Sequence, residues 1–279
     1  MINHQECFNL GKAKVLDSPN SVHISSKIQA DTLFTFMTHL EFLITSVKQS
    51  MLSPRYCEED VSYLNINEIK KLAFPMKCFC DINMHKLDEH LDWYGFYGLA
   101  FPKEWGMKNR IQPVQYINPD SYLCEDFFEA FSAALKVKSL EGDSAQSKMK
   151  NFLLHEIFYY KPYSGKIENR NTKQIEEKCF TDECEWRFVP NVTSKDYYQV
   201  IYNDNVLNSG TLIDLSNSML GIPEISLKFN YSDLKYIIVK SVADFEKLTK
   251  EIINLNLDQI VEHELISKII IWDKSRGDF

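Results

Sequence analysis

Two short stretches hold most of the side chains that could do chemistry. The first, CFCDINMHKLDEHLDWYGFYGLAF at residues 78–101, sets Cys78, Cys80, His85 and His90 beside Asp81 and the pairs Tyr94-Gly95 and Tyr97-Gly98. The second, TDECEWR at residues 181–187, carries Glu183, Glu185 and Arg187. Four nitrogen and sulfur donors in the first stretch would suit tetrahedral zinc. A Cys-x-Cys pair brings its sulfurs together less readily than Cys-x2-Cys, however, and no second cysteine pair lies nearby, so no metal site is expected. Packing is the plainer reading. In a strand, Met76, Cys78, Cys80 and Ile82 fall on one side and Phe79 and Asp81 on the other, while His90 and Tyr94 are neighbours on a helical turn. A pocket is the third reading. Gly95 and Gly98 remove side chains where a backbone turns tightly or approaches a ligand, and Tyr94 and Tyr97 offer flat faces and hydroxyls. Asp81 and His90 could then orient a polar ligand.

Glu183 and Glu185, two residues apart, are expected to share one face of a strand. An acid so placed can stabilise positive charge that develops as a bond breaks. The structural alternative is that Arg187 pairs with an acid such as Asp81 while Trp186 packs in the core. The spatial expectation is a concave site built from Asp81, His90, Tyr94, Tyr97 and Glu185.

The elements that must position these groups are read from apolar spacing. Strands are expected at 33–37, 75–82, 96–101, 114–117, 185–189, 198–202, 226–229, 236–239 and 266–272. Helices are expected at 39–51, 67–73, 88–93, 122–137, 149–159 and 242–255, the first opened by a capping box at Thr38 and Glu41. Helices and strands mix without strict βαβ alternation, so the fold class is α+β: a mixed, mostly antiparallel sheet with flanking helices. Residues 1–30 read as a polar arm, and 31–279 as one domain with a helical insertion around 120–165.

The 279 residues carry a formal net charge of −8, with 44% hydrophobic and 25% charged residues. No strong Lys/Arg cluster appears, which argues against autonomous nucleic-acid binding. No apolar run reaches about 18 residues and the N-terminus lacks a signal-peptide pattern, so no membrane span and a cytoplasmic location are expected. Seven cysteines without a framework spacing read as reduced thiols. No Ser-His-Asp set, P-loop or Gly-rich dinucleotide fingerprint is present. His155 reads as a packed histidine and His263 as a surface one. The segment FLLHEIFYYKPY at 152–163 is a candidate partner surface.

In order along the chain, LFTFMTHLEFLITSVKQSMLSPRYCEED, FPMKCFCDI, His90 with YGFYGLAFPKEWG, PVQYI, ECEWRFVP and LKFNYSDLKYIIV resemble the AbiGi family. These are bacterial abortive-infection proteins described as antitoxins of phage-defence systems. The resemblance implies a component of a toxin-antitoxin-like module, with a cognate toxin or defence-system protein as partner. The family often has a histidine in its first strand; Thr35-Phe36-Met37-Thr38 stands there in this chain, and His39 falls in the helix cap. Glu183-Cys184-Glu185 is also similar to the Glu-x-Glu element of ADP-ribosyltransferases. That likeness implies a nucleotide ligand, NAD as cofactor or substrate, and catalytic roles for Glu185, Glu183 and His90. Asp81, Tyr94, Tyr97, Gly95, Gly98 and Arg187 would line the ligand site.

Overall fold

The computed structural model describes residues 25–66, 69–136, 145–169, 174–191, 200–202 and 207–277. In chain order, β1 (Thr32–Met37) runs into α1 (Leu40–Gln49), and β2 (Met51–Leu52) and β3 (Arg55–Asp60) lead to the long β4 (Lys71–Cys80). Next come α2 (Asp88–Tyr94), β5 (Tyr97–Pro102), α3 (Lys103–Lys108), β6 (Gln112–Pro113) and β7 (Gln115–Ile117). A helical pair follows, α4 (Tyr122–Lys136) and α5 (Ala145–Tyr159), then β8 (Tyr160–Pro162), β9 (Ser164–Glu168), β10 (Ile175–Cys179) and β11 (Glu185–Phe188). The last part holds α6 (Ser209–Ser218), β12 (Leu227–Lys228), β13 (Tyr236–Val239), α7 (Val242–Ile253), α8 (Gln259–Ser267), β14 (Ile269–Ile271) and α9 (Trp272–Ser275).

The main sheet has eight strands, ordered β14-β13-β5-β1-β4-β11-β6 with β3 also on β4. Its pairings are antiparallel except β13 with β14, which is the mixed, mostly antiparallel α+β arrangement expected. Length decides the shape of its middle. Ten residues of β4 are shared: β3 lies along residues 71–76, β11 along 77–80, and β1 meets β4 only at Phe34↔Cys80. β1 and β3 therefore do not continue one another, and the sheet is split between them.

Directly paired residues of antiparallel strands point to the same face. Phe34↔Cys80, Phe34↔Ala100, Phe36↔Gly98, Glu185↔Cys80 and Arg187↔Cys78 thus set Phe34, Phe36, Cys78, Cys80, Gly98, Ala100, Glu185 and Arg187 on one side. The other side carries Leu33, Met37, Phe79, Leu99 and Phe101, which form one core with Leu43 and Val47 of α1 and Leu248 and Ile252 of α7. Phe74 and Met76 pack against Phe127, Phe131, Ile157 and Phe158 of the α4–α5 pair in a second core.

Several local expectations are corrected. Residues 71–73 are strand rather than helix, because both faces are buried: Leu72 and Phe74 in the second core, and Ala73 in a small cluster with Tyr56, Ile201 and Met219. Helix α1 starts one residue later than a Thr38 cap requires; His39 is the N-cap without a side-chain bond, and Glu41 pairs with Lys247 instead. The stretch 266–272 is divided, with α8 running through Ser267 and Trp272 opening α9. His155 is exposed rather than packed, while His263 is exposed as expected. Residues 1–24 of the expected arm and 198–199 of the expected strand lie outside the described residues, and Ile201 makes an isolated bridge to Ala73.

Gly95 ends α2 at φ +105°, and a Cβ there would lie 2.2 Å from the Met37 carbonyl oxygen. That contact is backbone to backbone, so no side chain can yield. Gly95→Ala is expected to lower unfolding free energy by about 1–3 kcal/mol or more in urea melts. Gly210→Ala in α6, whose Cβ meets only Asn208 Oδ1 at 3.5 Å, should be neutral or stabilising. Equal effects at both positions would refute the close approach.

Candidate functional site

A cleft of about 750 Å³ opens at the split in the sheet, between Phe34 and Phe36 of β1 and residues 55–59 of β3. Cys78 and Cys80 of β4 form its floor, and His90, Tyr94, Lys161, Glu183 and Glu185 also line it. Each group arrives for a local reason. Helix α2 is anchored by Leu91, fully buried with Leu87 against Phe34 and Ile82. That packing turns His90 and Tyr94 together, ring centroids 4.6 Å apart, with His90 5.7 Å from the Phe36 ring. A Cβ on Gly98 would collide with the Phe36 ring at 2.6 Å, so glycine there lets Phe36 lie flat over β5.

Glu183 closes a 3-10 turn, Phe180–Glu183, and Cys184 takes a left-handed conformation at φ 41° before β11 begins. The two acids are therefore brought together by a turn rather than by strand alternation, which corrects the expected route. Both meet Lys161 of β8, whose ammonium is 2.8 Å from Glu185 Oε2 and also donates to Glu183 Oε2. Lys178 of β10 is 2.8 Å from Glu183 Oε1, an oxygen that also accepts from the Tyr94 hydroxyl. Arg187 donates through Nε to Glu185 Oε1 at 2.7 Å, through Nη2 to Glu59 Oε2 at 2.9 Å, and through Nη1 to the Phe158 carbonyl at 2.9 Å. The Glu185 backbone N–H donates to the Tyr116 hydroxyl at 2.9 Å.

Three carboxylates thus face three cations, nearly all out of water: Arg187 is 0%, Glu183 3% and Glu185 7% exposed. Burial alone would raise the Glu185 carboxyl, but the charges of Arg187 and Lys161 outweigh it and hold it far below the ordinary carboxylate range. Burial and Lys161 act in the same opposed way on Glu183, with Lys161 prevailing. Burial lowers His90 to about 4, so its imidazole is neutral at pH 7, while burial and Glu183 push the Tyr94 phenol up. Chemically the wall offers ionised acceptors, a neutral imidazole and flat rings.

Sequence spacing had grouped more residues than the sheet does. His90, Tyr94, Glu183, Glu185 and Arg187 converge, with Gly95 and Gly98 shaping the wall from behind. Asp81 does not join them: it lies on the Phe79 side and pairs with Lys103 at 2.6 Å, whose ammonium sits over the Trp186 ring at 5.7 Å. Arg187 therefore pairs with Glu185 and Glu59, not with Asp81. Tyr97 points to the core under α1 and α7, beside Asp244. Thr35 likewise alternates away from the cleft. Cys78 contacts Cys57, and His85 lines a different hollow with Asp81 and Cys184. Among the described residues no group of three or more His, Cys, Asp or Glu could hold a metal ion. Of FLLHEIFYYKPY, Leu153, Ile157, Phe158 and Tyr160 are buried, while Phe152 and Tyr163 are exposed. Lys161, Lys178, Glu59 and Tyr116 went unrecognised in the sequence. A lysine inside an aromatic run was the one available signal for Lys161.

The family model described as "Putative abortive phage resistance protein AbiGi, antitoxin" matches residues 49–240. A protein of Lactococcus lactis subsp. cremoris, "Abortive phage resistance protein AbiGi", is 31% identical over 245 residues, covering 81% of this chain and 98% of that protein. No solved structure matches the chain. Among the described residues, no helix is long and apolar enough to cross a membrane.

Removing one member of a buried ion cluster strands the others. Arg187→Met should cost about 3–5 kcal/mol in urea unfolding, because Glu59 loses its paired guanidinium and Glu185 one of its two counter-ions. The double variant Arg187→Met/Glu185→Gln should recover part of that loss. Strict additivity would show that the two groups do not act together. His90 gives a pH signature. Its folded value near 4 lies below the ordinary histidine value of 6.5, so the unfolded chain takes up the proton first and stability is lost as pH falls from 6.5 through 4. By NMR, its imidazole should show no titration between pH 7.5 and 5.5, and a midpoint near 6.5 would disprove the burial argument.

Proposed function

Because the chain belongs to the AbiGi family of abortive phage resistance proteins, we propose that it serves phage defence through the cleft at the sheet split, which binds a small ligand of nucleotide type. The observation that carries this is one cleft wall holding three aromatic or imidazole rings, Phe36, His90 and Tyr94, beside the ionised pair Glu183 and Glu185. Rings supply stacking faces for a base, and buried carboxylates accept hydrogen bonds from sugar hydroxyls. A ligand seated there would touch β1, β3, α2 and β11 at once, so occupancy could stabilise the surface offered to a partner. The antitoxin wording of the family description makes a cognate toxin the partner to seek.

A second reading has one specific observation behind it. Glu185 is kept ionised at the cleft, which is what stabilising a ribosyl cation at the nicotinamide bond of NAD requires. Nicotinamide would leave with the bonding electrons, and water would add to the ribose carbon and release one proton to solvent. Against it stands the saturation of Glu185: Oε1 accepts from Arg187 and Oε2 from Lys161 and Arg187. A ribose hydroxyl would have to displace one of these donors.

Thermal shift and calorimetric titration of the whole chain with AMP, ATP and NAD test the main reading. At least one should bind, and Tyr94→Ala should weaken it tenfold or more, the loss of about 1–3 kcal/mol of stacking. No binding by any of the three would remove the proposal. In the NAD arm, nicotinamide release by the wild type and none by Glu185→Gln would favour the second reading.

A further inference from the structure

Two cations at the split of the sheet lack a counter-ion. Arg55 opens β3 directly opposite Met76, so Lys77, the next residue of β4, points to the other face of the sheet, and the two cations meet only at the split. Both are half-buried. Both line a second cavity of about 470 Å³, which shares Phe36, Arg55 and Tyr94 with the cleft. Among the described residues neither side chain makes a hydrogen bond or an ion pair. The Arg55 guanidinium lies 5.7 Å from the Phe42 ring centroid. Among the described residues the one carboxylate lining this cavity, Glu41, is already held by Lys247 at 2.7 Å.

The contrast with the neighbouring cluster is what matters. There, each cation is matched by a carboxylate; here, two like charges border one cavity, partly desolvated and with no counter-ion among the described residues. Burial, with the Arg55 charge adding to it, lowers Lys77 to about 8. An arrangement that costs free energy when empty is relieved by an anion, and a phosphoryl group fits best. A guanidinium fork holds two phosphoryl oxygens in parallel and an ammonium supplies a third donor.

We propose that Arg55 and Lys77 form a phosphoryl subsite at the sheet split, taking the phosphate or diphosphate of a ligand whose ring rests on Phe36 and Tyr94. The phosphoryl part stands on the unmatched cations alone; the ring part rests on the nucleotide reading above. Polar groups of the same cavity, Thr38 and Gln49, border the anion.

Titration calorimetry on the full chain tests this with three probes: inorganic pyrophosphate, adenosine and ADP. Pyrophosphate should bind the wild type, bind Arg55→Gln and Lys77→Gln at least tenfold more weakly, and bind Lys77→Arg nearly as the wild type does. ADP should lose affinity in the same two variants, and adenosine should not. The ligand-free melting temperature of Lys77→Gln should hold or rise, since a like-charge repulsion is removed, and this guards against misfolding as the cause. Pyrophosphate that fails to bind the wild type, or binds all variants equally, overturns the proposal, even if adenosine binds. Pyrophosphate binding that depends on both cations, with no affinity for adenosine or ADP, would keep the subsite and reject the nucleotide reading.

Discussion

Arg187 is fully buried, and its guanidinium is divided among Glu185 at the start of its own strand, Glu59 on β3 and the carbonyl of Phe158 at the end of α5. Taking such a group out of water costs several kcal/mol, and the opposing charges repay it only where hydrogen bonds saturate them. That condition binds the architecture. β11 must start where Glu185 meets Lys161, β3 must come near enough for Glu59, and the α4–α5 pair must end with a free carbonyl at the same point. Lys161 extends the constraint to Glu183 and the turn before β11, and Lys178 and Tyr94 extend it to β10 and α2. Elements far apart in sequence are therefore fixed to one another by a single polar knot behind the cleft.

The cleft itself follows from strand lengths. β1 touches β4 at one residue pair, so its remaining partner is β5, while β3 occupies the other half of β4. A sheet divided in this way has two inner edges, and side chains at those edges are neither core nor open surface. Gly95 and Gly98 let α2 and Phe36 close in on one edge; a side chain at either would push that wall outward. The opposite edge is lined with charge. Arg187 consumes Glu59 by pairing, but among the described residues no acid reaches Arg55.

How much of this the sequence disclosed depends on the range of the interaction. Period-two and period-3.6 patterns revealed the strands around residues 78, 98, 187 and 238 and helices α1 and α7, because burial on one face leaves a local trace. Alternation also separated Asp81 from Cys80 correctly. What alternation cannot supply is register. Asp81 and Glu185 were expected in one concave site, yet Glu185 opposes Cys80, the residue before Asp81, and one position of offset sends Asp81 to the other face. Strand β3 was missed since Arg55, Glu58, Glu59 and Asp60 make it look like a loop; its charges serve the split and the ion cluster, not solvent alone. Lys161 stands 24 residues before Glu185 and 22 before Glu183, so no local pattern could reveal their meeting.

The electrostatics of the two cavities limit what can occupy them together. The Glu183–Glu185–Lys161–Arg187 wall is balanced in charge, so an anion placed against it meets carboxylates and a cation competes with lysines already bonded there. A neutral group that both donates and accepts, such as a sugar hydroxyl, can replace the Tyr94 hydroxyl at Glu183 Oε1 without leaving a charge unmatched. Negative charge belongs a short way off, beside Arg55 and Lys77. A ligand with a ring, a neutral polyol and an anionic group spaced along its length satisfies both conditions at once; a ligand missing its anionic group leaves the cation pair unrelieved, and one missing the polyol gains nothing from the knot. The matched and unmatched charges thus read as halves of one specificity device, held at fixed separation by the polar knot around Arg187.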